Sequence, residues 1–135
     1  MIVLNDLIHL KSHLRSHWID ITDKVQAVVS RSGIIEGICT VVCLHTTASI
    51  TVNENADPDV EKDFFKMLEQ LIPINASFRH VEGNSDSHIK ASLTGLSAQI
   101  PVSGGRLVLG TWQSVYFCEF DGPRSRKVSV TVMGQ

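Results

Sequence analysis

The sequence predicts an α+β protein with a mixed, largely antiparallel β-sheet or sandwich and two to three helices. Three observations carry this: the order of the predicted elements (strand, helix, strands, two helices, four strands), a run of β-branched residues over 34–52, and an all-β final third. The chain has 135 residues, 43% of them hydrophobic and 19% charged. That size and composition predict one compact domain over residues 1–135 with its own core.

The first half of the chain contains the signals for the early elements. Alternating apolar residues predict a strand to about Lys11. A helix follows, with Thr22 as its N-cap, Gly33 as its end, and one apolar face made of Val25, Val28 and Val29. The β-rich run 34–52 predicts two strands, or one long strand broken near residues 45–47.

The strongest helix signal is Asp57-Pro58-Asp59, because aspartate caps helices and proline is tolerated in the first turn. The pattern ends at Pro73. One face of this helix is apolar, and we expect it to pack in the core: Val60, Phe64, Met67, Leu68 and Leu71.

A third, short helix is predicted over residues 86–94, capped by Asn84 or Ser85 and closed by Gly95. Four strands follow. Residues 98–102 and 106–109 form a hairpin around Gly104-Gly105, residues 114–120 alternate, and the last strand carries Val128, Val130 and Val132 on one face.

Composition also limits the partners. With a formal net charge of −2 and a pI near 6.3, the chain has no broad basic surface for nucleic acid or an anionic membrane, so an anion would need a local pocket. No run approaches the ~20 apolar residues of a membrane span. Three cysteines without a CxxC pair predict reduced, buried thiols. We therefore expect a cytoplasmic location.

Three of the six histidines, His45, His80 and His88, lie beside turn or cap residues, where side chains can converge. Three histidines with an open position match the ligand set of a catalytic divalent-metal site. The expected cofactor is a divalent ion, Zn²⁺ or Mg²⁺. Buried or surface histidines satisfied by hydrogen bonds are the alternative. The other histidines, in the amphiphilic N-terminal stretch, are expected to be solvated or partly packed.

The segment Asn53-Glu54-Asn55-Ala56-Asp57 joins a β-rich run to a helix N-terminus, which attracts anions. Glu54 or Asp57 is a candidate general base or metal ligand, and simple helix capping is the alternative.

Downstream, Trp112 is suited to stack on a flat heterocycle and Gln113 to bind its edge; the alternative is that Trp112 fills the core. Glu119 lies in a strand, where a carboxylate needs a partner or solvent. Arg124 and Arg126 are two residues apart in an extended stretch and are placed to clamp a phosphate, unless they only mark a solvated turn.

Several separated motifs, in order from about residue 34 to the C-terminus, resemble the YjbQ-like secondary thiamine-phosphate synthase family. They are His45-Thr-Thr-Ala48, Asn53-Glu-Asn-Ala-Asp-Pro58, His80, Ser87-His-Ile-Lys-Ala-Ser-Leu93, Ile100-Pro-Val102, Gly110-Thr-Trp-Gln113 and Glu119-Phe-Asp-Gly-Pro-Arg124.

The resemblance implies a homotrimer with a polar, metal-binding pocket around the matching histidines. It also implies a weak or secondary ability to join a pyrimidine diphosphate to a thiazole phosphate. On this hypothesis the catalytic residues are His45, Glu54 and Asp57, and the metal ligands are His45, His80 and His88. The substrate-binding residues are Asn53, Asn55, Trp112, Gln113, Glu119, Arg124 and Arg126.

Two other functions fit the same residues. One is a metal-dependent hydrolase of a phosphorylated small molecule, and the other is a trimeric ligand-binding protein without turnover.

Overall fold

The computed structural model describes residues 1–135. Its strands are β1 (Ile2–Lys11), β2 (His17–Asp20), β3 (Gly37–Cys43), β4 (Ala48–Glu54), β5 (Ser97–Ser103), β6 (Arg106–Leu107), β7 (Gln113–Glu119) and β8 (Ser125–Gly134). Its helices are α1 (Thr22–Ser32), α2 (Pro58–Leu71) and α3 (Ser85–Thr94). The α+β class with a largely antiparallel architecture and three helices is confirmed.

The strands form two sheets, and every pairing is antiparallel. The larger sheet has the order β1-β8-β3-β5-β6 and the smaller has the order β2-β7-β4. Side chains from the inner faces of both sheets and from α1 share one apolar core, which includes Val28, Val41, Phe117 and Val130. None of the three helices has the length and apolarity needed to cross a bilayer.

The smaller sheet is covered on both faces. A second apolar cluster of Trp18, Ala91, Cys118 and Phe120 fills its other side, where α2 packs on it. Strand β7 therefore alternates between two cores, with Phe117 facing one and Cys118 the other. Burial raises the pKa of the Cys39 thiol to about 11 and that of Cys118 to about 12. As predicted, all three cysteines are free and buried.

Helix α2 departs from its prediction. Asp57 caps it as expected, since its Oδ1 accepts from Asp59 N at 2.9 Å. However, no residue of this helix is fully buried, and Met67 and Leu71 are 54% and 67% exposed. The prediction that the whole apolar face packs in the core is wrong at these two residues, because the small cluster reaches only Val60, Phe64, Phe65 and Leu68.

Two further local differences concern the start of α1. The sequence pattern did not predict β2, which is only four residues long and pairs with β7. Thr22 is the first helical residue and not the N-cap. Its hydroxyl instead donates to Asp20 Oδ1 at 2.7 Å and accepts from Val115 N at 2.8 Å, which ties the helix to the smaller sheet.

Buried charges hold α3 in place. Lys90 is 1% exposed and donates to Asp86 Oδ2 at 2.8 Å and to Glu69 of α2. Arg15 donates to Asp86 Oδ1 at 3.0 Å. Burial alone would raise the pKa of Asp86, but hydrogen bonds from Arg15 and Lys90 hold it below the usual value. This network fixes the orientation of the helix that carries His88.

Candidate functional site

His45 lies in the loop that joins β3 to β4, and its ring, in place of a backbone carbonyl, forms a hydrogen bond with the backbone of β8. Its Nε2 accepts a hydrogen bond from the backbone N–H of Lys127 at 2.8 Å. Because a backbone N–H can only donate, the ring is neutral and carries its proton on Nδ1. Burial, followed by the nearby charge of Arg126, lowers the pKa of His45, which agrees with this assignment.

A buried ion pair lies behind this loop. Glu119 Oε1 accepts hydrogen bonds from Arg126 Nε at 2.8 Å and from Ser12 Oγ at 2.6 Å. Its Oε2 accepts a hydrogen bond from Arg126 Nη2. Arg126 Nη2 also donates to Thr47 Oγ1 at 2.9 Å. The pair therefore holds the His45-Thr46-Thr47 loop against the ends of β7 and β8.

The hydrogen bonds of Glu119 are satisfied inside the protein. Burial alone would raise its pKa, but hydrogen bonds from Arg126 and Ser12 keep the pKa below the usual value. Glu119 is 0% exposed, so it positions Arg126 and has no free surface for a ligand. The prediction that Glu119 itself binds substrate has no support in this geometry.

A cavity of about 470 Å³, which we call the basic cavity, opens beside this ion pair. Its lining contains four cations, two imidazoles and no carboxylate: His9, Leu10, Lys11, Lys24, His45, Ser125, Arg126 and Lys127. Arg126 Nη1 makes no hydrogen bond to the protein and is not sealed from solvent. It is therefore the group that this nearly buried arginine can offer to an anion.

A second cavity, of about 410 Å³, meets the first at His45. We call it the neutral cavity because no aspartate, glutamate, lysine or arginine lines it. Its lining consists of His45, Thr46, Ala48, His88, Ala91, Ser92, Gly95 and Leu96. His45 is the one residue that the two cavities share.

His80 and His88 lie close together, with ring centroids 5.4 Å apart. His80 Nδ1 is bonded to Ser85 Oγ at 2.7 Å, and its Nε2 lies 3.8 Å from Glu82 Oε1. Nevertheless, no group of three histidine, cysteine or carboxylate side chains in the chain is arranged to hold a metal ion. Both nitrogens of His45 are also occupied, one by its proton and one by Lys127 N–H. One chain therefore does not assemble the predicted ligand set.

Glu54 and Asp57 lie at the far end of β4 from His45. The seven residues of this strand span about 20 Å at roughly 3.3 Å per residue. Glu54 Oε2 accepts from the backbone N–H groups of Ala56 and Asp57, at 3.1 and 3.3 Å. Asp57 therefore caps α2, and Glu54 binds the backbone N–H groups of the turn that precedes this helix. The three predicted catalytic residues do not meet within one chain.

This far end has a cavity of its own, of about 340 Å³, which includes Glu54, Asp57 and Glu61 beside the stacked rings of Trp18 and Tyr116. Its carboxylates make it unsuitable for a phosphate.

The predicted amide ligands are engaged in holding this end together. Asn55 Nδ2 donates to the carbonyls of Thr111 and Gln113, each at 3.2 Å. Gln113 Oε1 accepts from Gly110 N at 2.8 Å, and Asn53 Oδ1 accepts from Glu54 N at 2.8 Å. Asn55 therefore joins the turn after β4 to the start of β7, whereas the bonds of Gln113 and Asn53 are local.

Trp112 is 63% exposed, so the interpretation that it fills the core is wrong. Its stacking role stays a prediction.

The arginine clamp does not form as predicted. Arg124 is exposed and donates to Asp121 Oδ2 at 2.9 Å, while Arg126 is buried against Glu119. Only Arg126 lines the basic cavity. Each guanidinium is already paired with a carboxylate, because the turn before β8 brings Asp121 to one and the end of β7 brings Glu119 to the other.

Sequence reasoning missed His9, Lys11, Lys24 and Lys127, which complete the basic cavity. Strand register explains why: β1 and β8 place His9 opposite Lys127 and Lys11 opposite Ser125. No local spacing contains that information, and the sequence pattern predicts only a solvated or partly packed role for His9.

Known proteins resemble this chain over almost its whole length. The family model described as "UPF0047 protein YjbQ-like" matches residues 6–135. The UPF0047 protein YugU of Bacillus subtilis (strain 168) is 47% identical over 128 residues, covering 94% of this chain and 97% of the relative. A UPF0047 protein of Methanothermobacter thermautotrophicus is 43% identical over 128 residues, covering 93% and 89%.

Solved structures show the same family relationship. A crystal structure of a YjbQ/UPF0047 family protein from Clostridium acetobutylicum, described as uncharacterised, has a TM-score of 0.93 and 51% identity and covers 95% of this chain and 99% of its own. A related protein of unknown function from Sulfolobus solfataricus P2 has a TM-score of 0.94 and 33% identity, with 98% of each chain covered. The chain therefore belongs to the UPF0047 YjbQ-like family.

Proposed function

We propose that the protein binds a small phosphorylated substrate in the basic cavity and acts there as a thiamine-phosphate synthase-like transferase with weak or secondary activity. The observation that carries the proposal is the lining of this cavity, which has four cations and no carboxylate. In a chain whose net charge is −2, such a concentration of positive charge is local and is suited to a phosphate or diphosphate.

The proposed reaction uses this charge. A bond forms between the thiazole nitrogen and the methylene carbon of the pyrimidine, while the bond from that carbon to the diphosphate oxygen breaks, and pyrophosphate leaves with the electron pair. Negative charge therefore grows on the leaving group. Lys127, Lys11 and the free Nη1 of Arg126 line the cavity, and their positive charge stabilises the departing pyrophosphate.

Calorimetric titration with pyrophosphate tests the binding site. Lys127→Ala keeps the backbone N–H that holds His45 and removes one cation from the lining. We expect affinity to fall about tenfold in this variant and to stay unchanged in Lys62→Ala, an exposed lysine on α2 outside the cavity. Equal affinities for all three proteins would overturn the proposal.

Turnover is tested separately by following the pyrimidine diphosphate with and without the thiazole phosphate. Thiamine phosphate formed only when both are present supports the transferase. Release of the pyrimidine alcohol without the second substrate assigns the hydrolase alternative. Tight binding without either product assigns a ligand-binding protein.

The metal remains a prediction of the family resemblance. One chain does not assemble His45, His80 and His88 as ligands, so the proposed Zn²⁺ or Mg²⁺ site includes donors from outside this set, which a second copy or water would supply. Metal analysis of the purified assembly, compared with His88→Ala, tests this. Equal metal content in the two proteins argues against the site.

Self-association is supported by the outer face of the larger sheet, which no helix covers. Cross-strand register places Val3, Met133 and Ile38 in one row across β1, β8 and β3, and all three are exposed. Leu7 and Val42 face Ser129 in a parallel row. An uncovered apolar sheet face of this kind is typical of an interface, so we propose that copies of the chain associate here as a homotrimer.

A cytoplasmic location is also part of the proposal. Three free, buried cysteines are typical of proteins that stay in a reducing compartment.

A further inference from the structure

A serine and a histidine lie within hydrogen-bond distance of each other at the start of α3. Ser85 is the first residue of this helix, and its Oγ is 2.7 Å from Nδ1 of His80, which lies in the loop before the helix. A longer contact of 3.4 Å joins the same hydroxyl to the backbone carbonyl of His80. A nucleophile and its general base exchange a proton at about 2.6–3.2 Å, and the shorter contact meets that requirement.

Two neighbours orient the imidazole of His80. Glu82 Oε1 lies 3.8 Å from its Nε2 and, because a carboxylate only accepts, favours the tautomer with the proton on Nε2. That tautomer leaves Nδ1 to accept the proton of the Ser85 hydroxyl. On another side, the ring of His88 packs edge-on against the ring of His80, with centroids 5.4 Å apart. The basic nitrogen of His80 is therefore held toward Ser85.

The pair lines a cavity of about 370 Å³, which we call the serine cavity. Its lining consists of Phe78, Arg79, His80, Ser85, His88 and Ile89, and it shares no residue with the basic cavity. A cavity of this volume holds a small molecule, and Phe78 and Ile89 give it apolar surface. Ser85 is only 8% exposed, so most of the residue is shielded from bulk water.

The N-terminus of α3 supplies donors for a developing negative charge. The first N–H groups of a helix have no acceptor within it, and partial positive charge collects there. Ser87 N–H donates to Asn84 O at 3.0 Å, which leaves the N–H groups of Ser85 and Asp86 in this turn. The N–H of the residue after a nucleophilic serine is a known oxyanion donor. The carboxylate of Asp86 is paired with Lys90 and does not cancel this charge.

We propose that Ser85 and His80 are the nucleophile and general base of an esterase site, whose substrates are carboxylic esters with a short apolar acyl group. This activity goes beyond the proposed transferase and uses a different cavity.

The chemistry needs only the ester and water. Ser85 Oγ bonds to the ester carbonyl carbon while its proton passes to His80 Nδ1, and the carbonyl oxygen becomes an oxyanion beside the N–H of Asp86. The oxyanion collapses, the bond to the alcohol oxygen breaks, and the alkoxide takes the proton from His80. Water then attacks the acyl-serine in the same way, which releases the acid and restores Ser85.

Hydrolysis of 4-nitrophenyl acetate, followed by release of 4-nitrophenolate, tests the turnover. We expect kcat/KM to fall by about a hundredfold or more in Ser85→Ala, which removes the nucleophile, and in His80→Gln, which removes the base. Ser30→Ala is the control, because Ser30 is an exposed serine on α1 outside the cavity, and its kcat/KM should equal that of the wild-type protein. Circular dichroism checks that each variant folds.

Covalent labelling of the wild-type protein gives a second measurement that does not depend on how the variants fold. A fluorophosphonate reacts with a serine whose hydroxyl is activated by a base. We expect mass spectrometry of the digested protein to find the label on Ser85, and we expect His80→Gln to lose it.

The esterase requires both results, and each other outcome overturns it. Equal rates in the wild-type protein and Ser85→Ala, or a label on residues other than Ser85, would show that the contact with His80 is only structural. A labelled Ser85 without turnover would leave a reactive serine and no esterase. Hydrolysis that stops when a chelator is added would assign a metal-dependent hydrolase instead. None of these results changes pyrophosphate binding in the basic cavity, so the two proposals fail separately.

Discussion

Arg126 and Glu119 form a buried ion pair at the centre of the candidate site, and each has several hydrogen-bond partners. Removing one member of such a pair leaves the other charge buried and uncompensated. The pair is therefore the residue-scale feature most sensitive to substitution.

We expect Arg126→Gln to lower the free energy of unfolding by about 3–5 kcal/mol, measured by urea denaturation. Arg124→Gln is the control, because Arg124 is exposed and its pair with Asp121 contributes at most about 1 kcal/mol. Equal losses in the two variants would contradict this account.

The pH dependence follows from the lowered pKa of Glu119. A carboxyl group with a depressed folded-state pKa stabilises the protein above its unfolded pKa, near 4.5, and this stability is lost as pH falls through the folded value. Protonated Glu119 resembles glutamine. The stability difference between wild type and Glu119→Gln should therefore shrink below pH 4.5 in denaturation curves recorded from pH 7 to pH 3. A constant difference would show that Glu119 has the same pKa in the folded and unfolded protein, and would contradict the lowered pKa.

At the scale of elements, Asp57 connects a loop of candidate site residues to α2. We expect Asp57→Ala to lower the free energy of unfolding by about 1 kcal/mol through loss of the N-cap, and to leave pyrophosphate binding unchanged, because Asp57 lies beyond the far end of β4 from the basic cavity.

Asp63→Ala is the comparison for Asp57→Ala, since Asp63 is exposed in the middle of the same helix. A loss of turnover in Asp57→Ala far beyond its loss of stability would instead support the catalytic role predicted from the sequence.

A second element-scale prediction concerns the start of β3. Gly37 pairs with Gly134 of β8, and a Cβ added at Gly37 would overlap the backbone carbonyl of Met133. We expect Gly37→Ala to cost about 1–3 kcal/mol of stability, because the strands must separate to admit the methyl group. Thermal unfolding measures the loss. The control is Ser30→Ala, because Ser30 is exposed on α1. Gly83→Ala is unsuitable as a control, because the positive φ of Gly83 would strain an alanine there.

At the scale of the whole molecule, the uncovered face of the larger sheet governs self-association. We expect the wild-type protein to sediment as three copies of the 14.9-kDa chain, and Ile38→Asp to sediment as a smaller species, because a buried carboxylate in the apolar row opposes association.

Val81→Asp is the control for Ile38→Asp. Val81 is also exposed, but it lies in the loop before α3 and away from the sheet. Sedimentation velocity distinguishes the species. A wild-type protein that sediments as a single chain would contradict the proposal, as would an Ile38→Asp variant that keeps the wild-type mass.

Local patterns predicted the elements because the forces that define them act over a few residues. Asp57 before Pro58 caps α2, Gly33 closes α1 in a left-handed conformation, and the alternation around Phe117 marks β7. The apolar face of α2 shows the limit of such local patterns. The spacing of apolar residues identified the face, but it could not show which surface the face packs against. Within one chain, Met67 and Leu71 have no surface to pack against.

The sequence by itself determined the α+β class, the three helices, the main strands and the family. Only the tertiary structure decided which polar side chains meet. His45 bonds to Lys127, 82 residues away, and Arg126 pairs with Glu119, whereas β4 separates His45 from Glu54 and Asp57. The reason is physical: contacts between distant residues depend on strand register and sheet order, which no short stretch of sequence specifies. The segment from His45 to Asp57 is therefore one continuous motif in the sequence, but its two ends contribute to two separate cavities in the fold.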